Sequence, residues 1–246
     1  MGALEMKKNG ADLIDIGGES TRPGADEVEE LAEIGRIEPA LKKILEADPK
    51  CKISVDTRKP AVMERVIGLG VKFVNDVSAL SFDPKSVDVI AKNEVLVCLM
   101  HGGLNPKKMQ EEPRYENVVL DVYDYLEKSI DNAVKSGVKK NNIVVDPGIG
   151  FGKTLEHNID LIRNASLFHS LGVPILYGVS RKKFIGIIGN ANNPVDRCPG
   201  SISVALELFN QGVQMIRVHD VWETKQALAL WMATKSEIFK PHGGQY

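Results

Sequence analysis

The chain is short of cysteine, of long apolar runs and of charge of one sign, and each shortage removes a class of function. Its 246 residues hold three cysteines, Cys51, Cys98 and Cys198. They are odd in number, far apart and form no Cys-x-x-Cys pair. That argues against a disulfide framework or a cysteine zinc site, and a reducing, cytoplasmic setting is the expectation. No pair of histidines has metal-ligand spacing. No apolar stretch approaches the ~18 residues of a membrane-spanning helix. The opening Met1-Gly-Ala-Leu-Glu-Met-Lys-Lys8 is short and amphipathic and does not read as a signal peptide. Basic and acidic residues nearly cancel, 31 against 33, for a formal charge of -2. No basic stripe gathers them, so neither nucleic acid nor an anionic membrane surface is an expected partner.

What is present is a repeated alternation. Seven short runs rich in Val, Ile and Leu read as strands: Asp12–Ile16, Lys52–Val55, Lys72–Val74, Val95–Leu99, Asn142–Val145, Pro174–Tyr177 and Gln214–Val218. They mostly lack strict polar alternation, as do strands covered on both faces of a parallel sheet. Helical patterns lie between them: Glu27–Ala47 (with Val28, Leu31, Ile34, Leu41 and Leu45 on one stripe and a possible break at Pro39), Pro60–Leu69, Asn117–Ser136, His157–Leu171, Arg197–Gln211 and Val221–Thr234. Gly10, Gly70, Gly137, Gly172 and Gly212 fall where helix C-terminal glycines belong. No linker or shift of composition divides the chain, so one domain over 1–246 is expected, with residues 235–246 as a loose tail. The alternation predicts an α/β fold of the TIM (β/α)8 barrel type. The strand ends then share one mouth, where active sites of that architecture sit. The count is seven, and residues 1–10 read as a helix that needs a strand before it. The expectation is a barrel lacking its first strand.

The strand ends carry the chemistry. Asp56, Asn75 and Asp146 would put two carboxylates and an amide at one mouth, a set suited to a flat ligand with an amidine-like edge. Each has a bland alternative: a helix cap for Asp56 and Asp146, a turn residue for Asn75. Gly152-Lys-Thr154 imitates a phosphate-binding loop, but the glycine that motif needs five positions before Gly152 is Pro147. Ser180-Arg-Lys182 and Arg217-Val-His219 end the last two strands, the region that commonly holds phosphate in such barrels. Arg217 and His219, at i and i+2, would share one face of a strand. Thr21 can donate to a phosphate oxygen and Arg22 can meet a carboxylate. His101, His157, His169 and His242 read as structural.

Taken together these segments resemble the dihydropteroate synthases of the pterin-binding family. The matching stretches are Asp15-Ile-Gly-Gly-Glu-Ser-Thr-Arg-Pro-Gly24, Ser54-Val-Asp-Thr-Arg-Lys-Pro60, Asn75-Asp-Val77, Leu99-Met-His101, Asp146-Pro-Gly-Ile-Gly-Phe-Gly-Lys153, Ser180-Arg-Lys182 and Arg217-Val-His-Asp220. The resemblance implies condensation of 6-hydroxymethyl-7,8-dihydropterin diphosphate with 4-aminobenzoate, giving dihydropteroate and diphosphate, a folate-synthesis step and the target of sulfonamides. It implies that Asp56, Asn75 and Asp146 hold the pterin edge and that Lys182 binds its other side. Arg217 would stack on the ring and, with His219 and Thr21, grip the diphosphate. Met100 and Phe151 would line the ring pocket, and Arg22 would lie on the aminobenzoate side. Asp146, Lys182, Arg217 and His219 are the residues expected to carry the chemistry.

The resemblance also implies Mg²⁺ as cofactor and a homodimer. The family's opening strand, with its Asn-Val-Thr-Pro-Asp-Ser-Phe-Ser-type segment, has no match here, and its Mg²⁺-contacting asparagine is expected to be missing with it. Lys183 stands where many members have a serine that helps hold the aminobenzoate carboxylate. A pterin-binding chain that does not turn over is the second reading. A methyltetrahydrofolate-corrinoid methyltransferase is a third, disfavoured by the Ser-Thr-Arg-Pro-Gly and Ser-Arg-Lys segments.

Overall fold

The structure, a computed structural model, describes residues 2–21, 25–102 and 114–235. Arg22, one of the candidate site residues, and the tail segment from 236 onward lie outside the described residues. In chain order the elements are α1 (Gly2–Lys8), β1 (Ile14–Gly17), α2 (Glu30–Ala47), β2 (Ile53–Asp56), α3 (Pro60–Gly68), β3 (Phe73–Asp76), α4 (Lys85–Asn93) and β4 (Leu96–Met100). They continue with α5 (Val118–Lys135), β5 (Ile143–Asp146), α6 (Leu155–Arg163), β6 (Leu176–Tyr177), α7 (Lys183–Ile188), α8 (Cys198–Asn210), β7 (Met215–Ile216) and α9 (Val221–Lys235).

Strands β1 to β5 pair in sequence order, all parallel, and β6 pairs with β7 in the same sense. A bridge between Val145 and Ile175 joins the two groups. The sheet curls. Leu13, before β1, and Met215, in β7, share one interior cluster with Phe73, Cys98, Val144 and Leu176. Arg217, just past β7, reaches Asp15 of β1. First and last strands therefore face each other across an apolar plug, the side-chain-filled interior of an α/β barrel. Among the described residues no strand pairs with the outer edges of β1 and β7.

Residues of the other parity pack outward under the helices. Val74, Val97, Leu99, Val145 and Ile175 join Met63, Leu126, Leu161 and Phe168 in the main core. Helix ends follow local chemistry. Pro60 opens α3, where its missing N–H costs nothing. Asn117 Oδ1 accepts from the N–H groups of Val119 and Leu120 at the start of α5. Thr154 and His157 cap α6 reciprocally. The five glycines read as helix terminators all have left-handed backbones, φ 71° to 102°.

Several expectations need correction. Strands β1, β2, β4 and β5 run one residue further than the apolar runs and β3 two, because the residues that end them, Asp56, Asn75, Asp76 and Asp146 among them, still pair. Helix α2 passes through Pro39 unbroken, and its buried stripe is Glu33, Ile37, Leu41 and Ile44. Leu31, placed on that stripe from sequence, is 84% exposed. The stretch His157–Leu171 is not one helix: α6 stops at Arg163, and Ala165–Leu171 is a 3-10 turn. Helices α4 and α7 lie outside the helical patterns of the sequence; with nine and six residues they show no clear period.

Candidate active site at the strand ends

The side chains that face the barrel interior rise in layers. Above the apolar plug, Ser54 Oγ donates to Asp15 Oδ1 at 2.6 Å, joining β1 to β2. One step higher Asp56 is paired in register with Asn75, and Met100 with Asp146. All three predicted polar residues are buried at this mouth. Neither carboxylate is a helix cap. Lys59, not Asp56, precedes α3, and Thr154 rather than Asp146 caps α6. Among the described residues nothing donates a hydrogen bond to Asp56 Oδ1 or Asn75 Oδ1. Buried acceptors of this kind are nearly always satisfied, and a ligand's N–H groups would satisfy them.

Arg217 bridges the carboxylates of two strands, with Nε 2.8 Å from Asp15 Oδ2 and Nη2 3.3 Å from Asp56 Oδ2. Burial, then the nearby Asp15 charge, push the Asp56 carboxyl up to about 7, although Arg217 pulls the other way. Burial raises Asp146 as well, opposed by the hydrogen bond from Gly148 N–H (2.7 Å) and by the charges of Lys182, Arg217 and Lys153. Lys182 is pushed down to about 8 by burial, with Asp146 resisting. Its Nζ lies 4.4 Å from the centre of the Phe151 ring, and Phe151 packs with Met100 and Val77 in a small apolar cluster. The mouth thus offers two carboxylates, an amide, an ammonium and a guanidinium around an apolar wall.

The Asp146-Pro-Gly turn depends on a glycine. Gly148 has φ +73°, and a Cβ there would come within 2.1 Å of the His101 carbonyl oxygen. Sequence reasoning missed the group that ties these loops together. Lys153 Nζ donates to the carbonyls of His101 (3.2 Å) and Phe151 (2.9 Å) and lies 3.0 Å from His101 Nδ1. Burial pushes Lys153 down to about 7 and His101 down to about 3, the latter helped by the Lys153 charge. His101 is structural, as expected. The Gly-Lys-Thr triplet that imitated a phosphate loop was the available signal for Lys153.

At the other pole the strand ends before the functional pair. Strand β7 stops at Ile216, so Arg217 and His219 do not share a strand face as their spacing suggested. Arg217 turns to Asp15 and Asp56, and His219 turns to Ser180, whose Oγ accepts from its backbone N–H (3.1 Å) and meets its Nδ1 (3.0 Å). Arg181 sits between Ser180 and Lys182 with φ +57°, a conformation that costs ~1–3 kcal/mol outside glycine. It is held by Asp220, which accepts from Nε at 3.0 Å and also from Nη2. The Ser201 hydroxyl accepts from its backbone N–H. The clamp orients Ser180 and Lys182 on either side. Lys183, the first residue of α7, is exposed. Thr21 is partly buried in the segment after β1. His219 also borders a cavity of about 650 Å³ between α1 and the start of α9, lined by Glu5, Met6, Asn9 and Trp222 among others. That cleft holds none of Asp56, Asn75 and Asp146.

Comparison with known proteins agrees with this geometry. The family model described as pterin binding enzyme matches residues 2–219. The dihydropteroate synthase of Haemophilus influenzae is 42% identical over 231 residues, 94% of this chain and 82% of its own length. The Xanthomonas albilineans dihydropteroate synthase superposes with a TM-score of 0.89 at 38% identity in its structure with 4-aminobenzoic acid. Its structure with 7,8-dihydropteroate gives 0.85 at 34%. Each match covers 95% of this chain and 82% of the other. The Yersinia pestis dihydropteroate synthase, solved with a sulfonamide drug, gives 0.90 at 40% identity, covering 95% of this chain and 84% of its own. With its family model spanning most of the sequence and these relatives beside it, the chain belongs to the pterin-binding enzymes, among the dihydropteroate synthases.

Proposed function

We propose that this chain condenses 6-hydroxymethyl-7,8-dihydropterin diphosphate with 4-aminobenzoate to give 7,8-dihydropteroate and diphosphate. The observation that carries the reading is the pair of buried acceptors without a partner among the described residues, Asp56 Oδ1 on β2 and Asn75 Oδ1 on β3, with a third buried acceptor residue, Asp146, at the end of β5. A pterin's amino and ring N–H groups are donors of matching shape. The relatives carry the name of the synthase, which favours this over a pterin-binding chain without turnover.

In this reading Asp146 and Asn75 take the pterin edge, Asp56 takes a further ring N–H, and Lys182 meets the ring's other side. Met100 and Phe151 wall the ring. Arg217 leaves Asp15 and Asp56 to lie on the ring and, with His219 and Thr21, to bind the diphosphate. The reaction breaks the C–O bond between the pterin methylene and the diphosphate, whose electron pair leaves with the oxygen. The cations at that pole stabilise the departing anion. The electron-rich dihydropterin and the Asp146 carboxylate stabilise the methylene cation. The amine nitrogen then forms the new C–N bond and loses a proton. No covalent enzyme intermediate is required. Lys183 and the backbone N–H groups opening α7 face the aminobenzoate carboxylate in this scheme.

The described residues do not themselves build a Mg²⁺ cage. None of them form a group of three His, Cys, Asp or Glu at metal distance. Of the mouth carboxylates, Asp15 is engaged by Ser54 and Arg217 and Asp56 by Arg217. A Mg²⁺ ion would fit this mouth only if held chiefly by the substrate's diphosphate, where it would help neutralise the leaving group. A homodimer is proposed from the exposed Ile187, Ile188, Trp222, Leu230 and Met232 on α7 and α9. No helix among the described residues is long and apolar enough to cross a membrane, and the three cysteines are free, which supports a cytoplasmic setting.

The test is diphosphate release on mixing the purified chain with both substrates. Release should require both, and Asp146→Ala should lower it at least ~100-fold, the scale of losing a preorganised charge-stabilising group. Unchanged release by that variant would overturn the assignment.

A further inference from the structure

Behind the anion pole lies a buried charge cluster that the reaction scheme does not use. Glu19 follows β1, and its side chain is 8% exposed. Its Oε2 accepts from Val28 N–H at 2.9 Å and from Lys59 Nζ at 2.5 Å. Its Oε1 accepts from Arg58 Nε at 3.2 Å and lies 3.1 Å from Arg58 Nη2. Lys59 Nζ also donates to Glu33 Oε2 of α2 at 2.6 Å. Arg58 reaches Glu27 at 3.5 Å and covers the Phe82 ring, and Arg36 of α2 donates to the Gly18 carbonyl at 2.9 Å.

One carboxylate therefore pins residue 19 to residue 28 and ties both to the end of β2. Thr21 is two residues from Glu19, and Asp56 is two residues from Arg58. The segment bearing the diphosphate contact and the strand bearing the pterin contact are braced through a single side chain. Stability alone gives little reason for such a device, because a buried ion cluster is seldom more stable than an apolar one of equal volume. What it supplies is a fixed geometry. The carboxylate also stays charged. Burial pushes Glu19 up, but the bonds from Lys59 and Val28 and the Lys59 and Arg58 charges outweigh it.

We infer that Glu19, held by Arg58 and Lys59, is a positioning residue that sets Thr21 at the diphosphate pole. The inference rests on the proposed contact between Thr21 and the diphosphate. It is tested by calorimetric binding of two probes, the pterin diphosphate substrate and 6-hydroxymethylpterin, which lacks the diphosphate. Glu19→Gln should weaken the first about tenfold, the worth of one charge-assisted hydrogen bond, and leave the second unchanged. Thr21→Val should do the same, and the double variant should be no worse than Thr21→Val alone. If Thr21→Val weakens the substrate but Glu19→Gln does not, or if Glu19→Gln weakens both probes equally, the positioning role is overturned. If Thr21→Val itself has no effect, the Thr21 contact fails instead and takes the inference with it. Should Glu19→Gln not fold, Glu19→Asp, which keeps the charge but withdraws it by one methylene, is read by the same criteria.

Discussion

Among the described residues, three of the four carboxylate oxygens of Glu19 and Glu33 at the clamp behind β1 accept hydrogen bonds, whereas at the mouth Asp56 Oδ1 and Asn75 Oδ1 accept none. Both groups are buried and both hang on the end of β2. At the clamp, burial is outweighed by ion-pair partners: donors hold Glu19 below its usual pKa, and the acceptors Glu19 and Glu33 hold Lys59 above its own. At the mouth burial prevails, and Asp56 and Asp146 are raised. A carboxylate whose partners are all protein is a brace. Asp56 keeps an unpaired acceptor at the barrel mouth itself and is prepared for a ligand, whereas the one unpaired oxygen of the clamp, Glu33 Oε1, sits on α2 outside the ring of strand ends.

Breaking the clamp gives the largest expected effect. Lys59→Met would strand the buried carboxylates of Glu19 and Glu33, and should cost about 3–5 kcal/mol in urea unfolding. A loss below ~1 kcal/mol would show the clamp to be better solvated than its burial indicates. The signs of its pKa shifts also predict where it holds. The Glu19 contribution disappears as pH falls through its lowered folded-state pKa, and the Lys59 contribution as pH rises through its raised one. Between them, across neutral pH, the clamp is constant.

The mouth should respond to pH where the clamp does not. Pterin binding by an ionised Asp56 should weaken below pH about 7, by up to tenfold per unit. It should weaken again above about 8 as Lys182 loses its proton. Calorimetric titrations from pH 5 to 9 check both limbs, and Asp56→Asn should abolish the acidic one. A pH-independent affinity in the wild type would remove Asp56 from the ligand's contacts.

Stability moves the opposite way at that residue. With a folded pKa of about 7 against 3.8 unfolded, the folded state holds a proton that the unfolded state has lost, so stability falls as pH rises through that window. Asp56→Asn removes the penalty. Its melting temperature should match the wild type near pH 4 and exceed it at pH 8, by ~2–4 °C for each kcal/mol recovered. The smallest effect belongs to an ion pair at neither site. Glu38 and Arg65 meet at 2.6 Å on the surface, and the carboxyl is held at about 2, chiefly by its hydrogen bonds from Arg65 and Lys42. Water screens the pair, and Arg65→Ala should leave the melting temperature unchanged within error.

The alternation of apolar runs and helical stretches made the barrel readable, because parallel strands covered on both faces must be continuously apolar and must be joined by crossovers. The polar strand ends were readable for the same reason: Asp56, Asn75 and Asp146 interrupt apolar runs at places a solvent-facing residue would not occupy. Helix faces were read less well. The stripe predicted for α2 included Leu31, and the buried one contains Glu33, since periodicity locates a face but not the charged partner waiting beneath it. Short elements such as α4 and α7 carry too few residues for any period to emerge.

Sequence alone determined the order of the strands, the glycine terminators and the family to which the chain belongs, because these rest on local backbone chemistry and on motifs contiguous along the chain. Only the tertiary structure decided how those residues meet. Arg217 lies 161 residues from Asp56 and touches it, Lys59 reaches back 40 residues to Glu19, and Lys153 closes on His101 across 52. Each is a charge whose partner is set by the pairing of neighbouring strands or, for Arg217, by the curl of the sheet, and no spacing along the chain encodes that distance.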